Sequence, residues 1–154
     1  MIKIENVSKS YGSHKAVDGM NVTIPDGSIT GFIGHNGAGK TTTINMITGA
    51  LQPDSGTIEI NGFDISKQPL DARRQFVAVP DSPDMFLRLK GIEYINFMAD
   101  VYKVPQEVRE EKIMTLAKEF GMEDKLANQM ESYSHGMRQK AIVIAALVCN
   151  PPVW

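Results

Sequence analysis

The eight residues Gly34-His35-Asn36-Gly37-Ala38-Gly39-Lys40-Thr41 spell G-x-x-x-x-G-K-T, and no other stretch leaves its surroundings so little structural choice. Glycines at 34, 37 and 39 permit φ > 0 and gather backbone N–H groups into a concave loop that suits phosphate oxygens. Lys40 offers a cation to the β- and γ-phosphates of a nucleotide, and the Thr41 hydroxyl can ligate Mg²⁺. Such a loop requires a strand before it and a helix after it, whose positive dipole end completes the anion site. Both flanks are legible. Ser28-Ile29-Thr30-Gly31-Phe32-Ile33 is a β-branched and aromatic run of strand length, led in by the turn Pro25-Asp26-Gly27. From Thr41 to Leu51, Ile44, Ile47 and Leu51 recur at helical spacing. The pattern predicts that Gly34, Asn36, Gly37, Ala38, Gly39, Lys40, Thr41 and Thr42 hold the phosphate tail of a nucleotide.

Composition narrows the setting. At 154 residues, the length suits one domain or part of a larger one. A 42% hydrophobic and 22% charged make-up is that of a soluble folded chain. The net charge of −2 is carried by scattered residues with no basic tract, which argues against a nucleic-acid or anionic-lipid partner. Cys149 is the single cysteine, so no disulfide framework or cysteine metal cluster is possible. It closes the apolar run 141–149 and reads as a buried structural thiol. That run is too short to cross a bilayer, and residues 1–6 lack a signal-peptide core. A cytosolic chain is expected, one that reaches a membrane only through partners.

The first sixty residues read mainly as strands. Ile2 and Ile4 alternate with polar neighbours, as do Met20, Val22 and Ile24, and Thr57-Ile58-Glu59-Ile60 ends at the hairpin signal Asn61-Gly62. An antiparallel sheet around the phosphate loop is expected. From Pro69 the character changes: a short helix over 70–74, then a strand Phe76-Val77-Ala78-Val79 ended by Pro80. Helical periodicity follows over 92–102 and over 108–120, the second stopped by Gly121. A last helix is predicted to begin after Ser134 and run to about Val148.

Tyr133-Ser134-His135-Gly136-Met137-Arg138-Gln139-Lys140 opens that last helix. Ser134 is a good N-cap and Gly136 leaves backbone N–H groups uncovered, giving a second anion-receptive helix start. Read alone, it is an ordinary capped helix. Two motifs in this order, however, resemble the nucleotide-binding domain of ATP-binding-cassette (ABC) transporters, over the whole of 1–154. Ser134-His135-Gly136-Met137 is similar to the family signature L-S-G-G-Q, with Tyr133, His135 and Met137 in place of Leu, the first Gly and Gln. This spelling resembles that of bacterial drug and antibiotic exporters.

The resemblance implies an α/β P-loop NTPase core of ABC type, with an N-terminal antiparallel β-subdomain and a helical subdomain. The corresponding division is a β-rich nucleotide-binding part over 1–84 and a mostly helical part over 85–148. It implies ATP and Mg²⁺ as ligands, with Tyr11 stacking on adenine, where a strand-end tyrosine packed on the core is the plain alternative. Ser134, His135, Gly136 and Met137 would contact ATP held by a partner domain in a homodimer or heterodimer. Val79-Pro80-Asp81-Ser82-Pro83 matches the family's Q-loop, with Asp81 in place of Gln. A carboxylate there can join Thr41 on the metal, directly or through water, and is otherwise a turn residue between prolines. His35 occupies a variable loop position and His14 a polar turn, and neither carries a catalytic signal.

In the family an apolar strand ending in Asp-Glu follows, the Asp on Mg²⁺ and the Glu polarising water. No such pair occurs here; Asp100, after Phe97-Met98-Ala99, lies in helical periodicity. The expectation is an incomplete ABC ATP-binding domain, ending before that strand, that binds ATP and hydrolyses it negligibly by itself. In the family the missing strands lie between 29–33 and 76–79, so marginal stability or self-association is expected. The resemblance further implies membrane-spanning transporter subunits as partners and a peripheral place on the inner face of the cell membrane. Competing readings are a nucleotide-binding regulatory module of a soluble partner, and a P-loop kinase or GTPase that must treat the 133–136 match as accident.

Overall fold

The alternating apolar residues at the N-terminus build the first layer. In the computed structural model, which describes residues 1–81 and 86–154, β1 (Ile2–Tyr11) and β2 (His14–Ile24) form an antiparallel hairpin. It turns through Gly12-Ser13, with Gly12 at φ 60°, the residue that two-residue hairpin loops favour at this point. On its other edge β1 pairs antiparallel with β3 (Ser55–Ile60), which returns as β4 (Phe63–Asp64). Asn61 and Gly62 take φ 50° and 83°, as the Asn-Gly signal requires of a type I′ turn. The strand order is β2-β1-β3-β4.

This sheet belongs to one of two units, Met1–Phe76 with Val153. Its core joins Ile2, Ile4, Val7, Ile58 and Ile60 to Met46 of α1 (Lys40–Ile47). Each fully buried side chain of this size contributes ~1.5–3 kcal/mol, so the aliphatic face of the sheet is what seats α1 and fixes the loop before it. The helix is shorter than its periodicity predicts. Thr48 caps it and Gly49 turns at φ 70°, leaving Leu51 outside. The short helix α2 (Pro69–Arg73) begins on its proline, which the first helical position tolerates.

Two predicted strands are corrected. Ser28–Ile33 has no strand pairing, and Ile29 and Ile33 are 104% and 95% exposed. A strand needs a neighbour to take its backbone groups, and among the described residues this run has none. Of Phe76–Val79, Phe76 alone forms a bridge, parallel to Val153, supported by the Val153 amide donating to the Gln75 carbonyl at 3.0 Å.

The second unit, Val77–Pro152 with Trp154, is helical. α3 (Gly91–Val101) and α4 (Gln106–Glu119) pack on α5 (His135–Cys149). Ala99, Ala117, Ala141 and Ala145 are fully buried, and these small side chains allow close helix approach around Ile95, Ile113 and Ile144. The Glu93 carboxylate accepts from the Lys90 amide at 2.9 Å at the start of α3. Gly121 (φ 63°) follows α4 and Asn150 (φ 44°) caps α5, both left-handed ends of the expected kind.

Candidate functional site

The phosphate loop is shaped by what stands against it. In the β1–β2 hairpin Ser10 faces Lys15 while Lys9 faces Val17, so Ala16 is an extra, bulged residue. The bulge puts the Ala16 carbonyl against the loop: a Cβ on Gly39 would lie 2.3 Å from that oxygen. Gly39 also takes φ 79°, so this glycine is required twice over. Gly37 (φ 86°) has nothing within 4 Å of its Cβ position, leaving that side of the loop open to a ligand. Gly34 sits under the turn, where a Cβ would lie 3.0 Å from the Ala38 methyl.

α1 starts from Gly39 with no side-chain cap, so its first-turn N–H groups keep their anion-receptive character. Lys40 Nζ donates to the carbonyls of Gly34 and His35 at 2.5 and 2.7 Å. An incoming anion competes with those two carbonyls for the ammonium. His35 is exposed, its Nδ1 2.8 Å from the Asn36 carbonyl, as expected of a loop side chain.

A cleft of about 330 Å³ gathers Asn36, Gly37, Gly39, Lys40, Thr41 and Thr42 with Tyr11, His14 and Ala16. Tyr11 is 53% exposed at the end of β1, so its ring is presented at the cleft and not buried in the core. His14, Tyr11's partner across the hairpin, is the residue that sequence reasoning passed over as a polar turn. The signal was available: a two-residue loop makes its flanking residues direct cross-strand neighbours.

The signature-like segment lies in the second unit, at the start of α5. Ser134 Oγ accepts from the Met137 amide at 3.3 Å, the predicted cap. His135 and Gly136 are exposed, and Gly136 has nothing within 4 Å of its Cβ position. The residues around them lock this helix start in place. Tyr133 is buried and its hydroxyl donates to the Lys125 carbonyl at 2.6 Å. Arg138 donates to the carbonyls of Met130 and Glu131, each at 3.1 Å. Gln139 Nε2 donates to Pro80 O at 3.1 Å, and Lys140 Nζ to Phe120 O at 2.8 Å. The Arg138-Gln139-Lys140 continuation thus acts as three tethers. Asp81 is exposed and follows the Pro80 that Gln139 holds. Ser82 and Pro83 of the predicted loop lie outside the described residues.

Cys149, at the end of α5, is half-buried; burial pushes its thiol up to about 11, against the opposing charges of Lys112 and Arg109. The apolar run implied a buried thiol; Cys149 is less covered than that, and its raised pKa leaves little thiolate near neutrality.

An antiparallel β-layer, a glycine loop opening a helix and a helical unit together define an α/β P-loop fold. Residues 17–154 match the family model described as ABC transporter, and the chain belongs to that family. It is 31% identical over 154 residues to the ABC-type transporter ATP-binding protein EcsA of Bacillus subtilis (strain 168), covering 100% of this chain and 62% of that protein. It is 31% identical to the bacitracin transport ATP-binding protein BcrA of Bacillus licheniformis, covering 98% of this chain and 48% of BcrA. A solved ATP-binding subunit of an ABC transporter superposes with a TM-score of 0.92 at 30% identity, over 97% of this chain and 62% of that one. The chain therefore spans about half to two thirds of the length of these relatives.

Proposed function

We propose that this chain carries the ATP-binding part of a transport ATPase, coupling ATP binding and hydrolysis to movement of membrane-spanning partner subunits. The observation that carries the reading is the single cleft shared by the phosphate loop and Tyr11. In this reading Gly34, Asn36, Gly37, Ala38, Gly39, Lys40, Thr41 and Thr42 cradle the phosphates, and Tyr11 stacks on adenine. Mg²⁺, a hard cation, would take the Thr41 hydroxyl, an exposed oxygen ligand; when bound it neutralises charge on the transferring phosphoryl group. Ser134, His135, Gly136 and Met137 would meet the γ-phosphate held by a partner domain, in a homodimer or heterodimer. The tethered start of α5 supports that assignment, because a phosphate contact gains most from amides that are already fixed.

A peripheral position on the inner membrane face follows from this partnership. Among the described residues no helix is long and apolar enough to cross a membrane. The exposed Phe86, Phe97 and Val101, with Phe86 and Phe97 rings 5.4 Å apart, are the surface we assign to the membrane subunits. Phe97 and Val101 lie in α3, and Phe86 precedes it in the chain.

The test is ATP binding and turnover, measured on this chain and on one of the length of its relatives, each with Lys40→Ala. Binding to both, turnover by the longer one, and loss of binding of about a hundredfold or more in Lys40→Ala are expected. Turnover by these 154 residues alone would assign the catalytic role to a residue such as Asp81. ATP binding that no membrane subunit responds to would favour the regulatory-module reading.

A further inference from the structure

His14 sits where the far end of a nucleotide must pass. The Ala16 carbonyl touches the loop at Gly39, so Ala16 marks the phosphate end of the cleft. His14 begins β2 two residues before Ala16, at the hairpin end of the strand, and lines the same cleft. There it is the direct cross-strand partner of Tyr11, and such pairs place their Cβ atoms on one face, roughly 5 Å apart. Both residues are exposed, and among the described residues no hydrogen bond holds the imidazole elsewhere. Two aromatic side chains, paired across the hairpin, therefore line one cleft together with the phosphate loop.

We infer that His14 is a nucleotide-contacting residue: with Tyr11 it forms a two-ring bracket, packing its imidazole face on the sugar–base end of the bound nucleotide. The inference rests on the ATP-binding reading above and adds to it a contact that no phosphate-loop residue supplies. It predicts which part of the ligand His14 senses. A ring that packs on sugar and base stabilises ATP and ADP alike, because both carry that end. A contact to phosphate would favour ATP over ADP.

The experiment is titration of the chain with ATP and with ADP, for the native sequence, His14→Ala, His14→Phe and Lys40→Ala. His14→Ala is expected to weaken both nucleotides equally, by roughly fivefold, while His14→Phe stays within about twofold of the native chain. His14 is exposed, so an unchanged thermal melt for both variants excludes a folding artefact. The inference is overturned if His14→Ala binds like the native chain. It is overturned equally if ATP suffers and ADP does not, or if His14→Phe is as weak as His14→Ala. A native chain that binds, loses binding with Lys40→Ala and ignores His14 refutes this inference alone. A native chain that binds neither nucleotide refutes the ATP-binding reading and this one with it.

Discussion

Ser28–Ile33 and Thr57–Ile60 are written in the same alphabet, and they fold differently. Both are short, β-branched and led in by turn residues. Ile58 and Ile60 are 1% and 0% exposed within β3, while Ile29 and Ile33 are 104% and 95% exposed with no strand pairing. Propensity does not separate them; partners do. β3 pairs with β1 and β4 in antiparallel register, and β4 is joined to it by a two-residue turn. The run 28–33 precedes a phosphate loop, the place of a parallel strand. Parallel strands are buried on both faces and have neighbours that are distant in sequence. A strand propensity is thus a statement about a surface that must be covered, and a sequence shows the propensity without the cover.

The sharpest test of this difference is a pair of truncations. Ile58→Ala removes buried atoms between β1 and β4 and is expected to cost about 3–4 kcal/mol in urea unfolding. Ile33→Ala, on a side chain that already faces solvent, is expected to change stability by less than about 0.5 kcal/mol. Equal costs at both positions would show that 28–33 is packed in solution, and the contrast would collapse.

Glycines give a second pair. Gly56 in β3 takes φ 87°, and a Cβ there would lie 2.4 Å from the Glu5 carbonyl and 2.5 Å from the Asn6 carbonyl carbon. Gly56→Ala must therefore move the β1 backbone, at a cost of about 2–3 kcal/mol. At Gly31 the nearest atom is the Ile33 side chain at 3.9 Å, and φ is not positive. Gly31→Ala is expected to be neutral or to stabilise by up to about 1 kcal/mol, because it narrows the unfolded ensemble. Melting curves of the two variants decide the matter, and a loss at Gly31 comparable to that at Gly56 would contradict it.

What the sequence made legible was local. Ser134 caps α5 as its position implied, Gly121 ends α4 at φ 63°, and Asn61-Gly62 makes the turn its dipeptide demands. In each case the signal and the geometry lie within a few residues of one another. The left-handed turns at Gly37 and Gly39 were legible for a related reason, since glycine spacing is also a short-range fact, whereas Tyr11 stood between a stacking and a core-packed reading that its exposure alone separates. What was not legible depends on register or on packing between distant segments. The Ala16 bulge needs the β1–β2 pairing to be known before it can be seen, and with it the placement of His14. Tyr133 reads as a departure from Leu, yet its hydroxyl finds the Lys125 carbonyl and its oxygen occupies the space where a Cβ on Gly91 would stand, 2.5 Å away. That pairing couples two helix starts, and neither residue announces the other.

The smallest expected effect concerns charge, and it too divides the two regions. Asp64 ends the sheet with its carboxylate nearly buried. Burial alone would raise its pKa, but the amides of Ser66 and Lys67 and the Lys67 ammonium outweigh it and hold the carboxyl below its ordinary 3.8. A carboxyl held low in the folded state releases its proton more readily there than in the unfolded chain. Its contribution to stability is therefore complete above the ordinary value and disappears as pH falls through the lowered one. Asp64→Asn keeps the shape and one acceptor oxygen but loses the charge, at an expected cost of about 1 kcal/mol near neutrality. As pH falls through the lowered value native and variant chains should converge, because the native carboxyl is then protonated too. The run 28–33 carries no carboxylate, so its amide-exchange protection, taken relative to the intrinsic rate at each pH, should stay unchanged across the same titration. A variant that tracks the native chain at every pH would remove Asp64 from the account of why the antiparallel layer holds and would leave burial of its isoleucines to explain it alone.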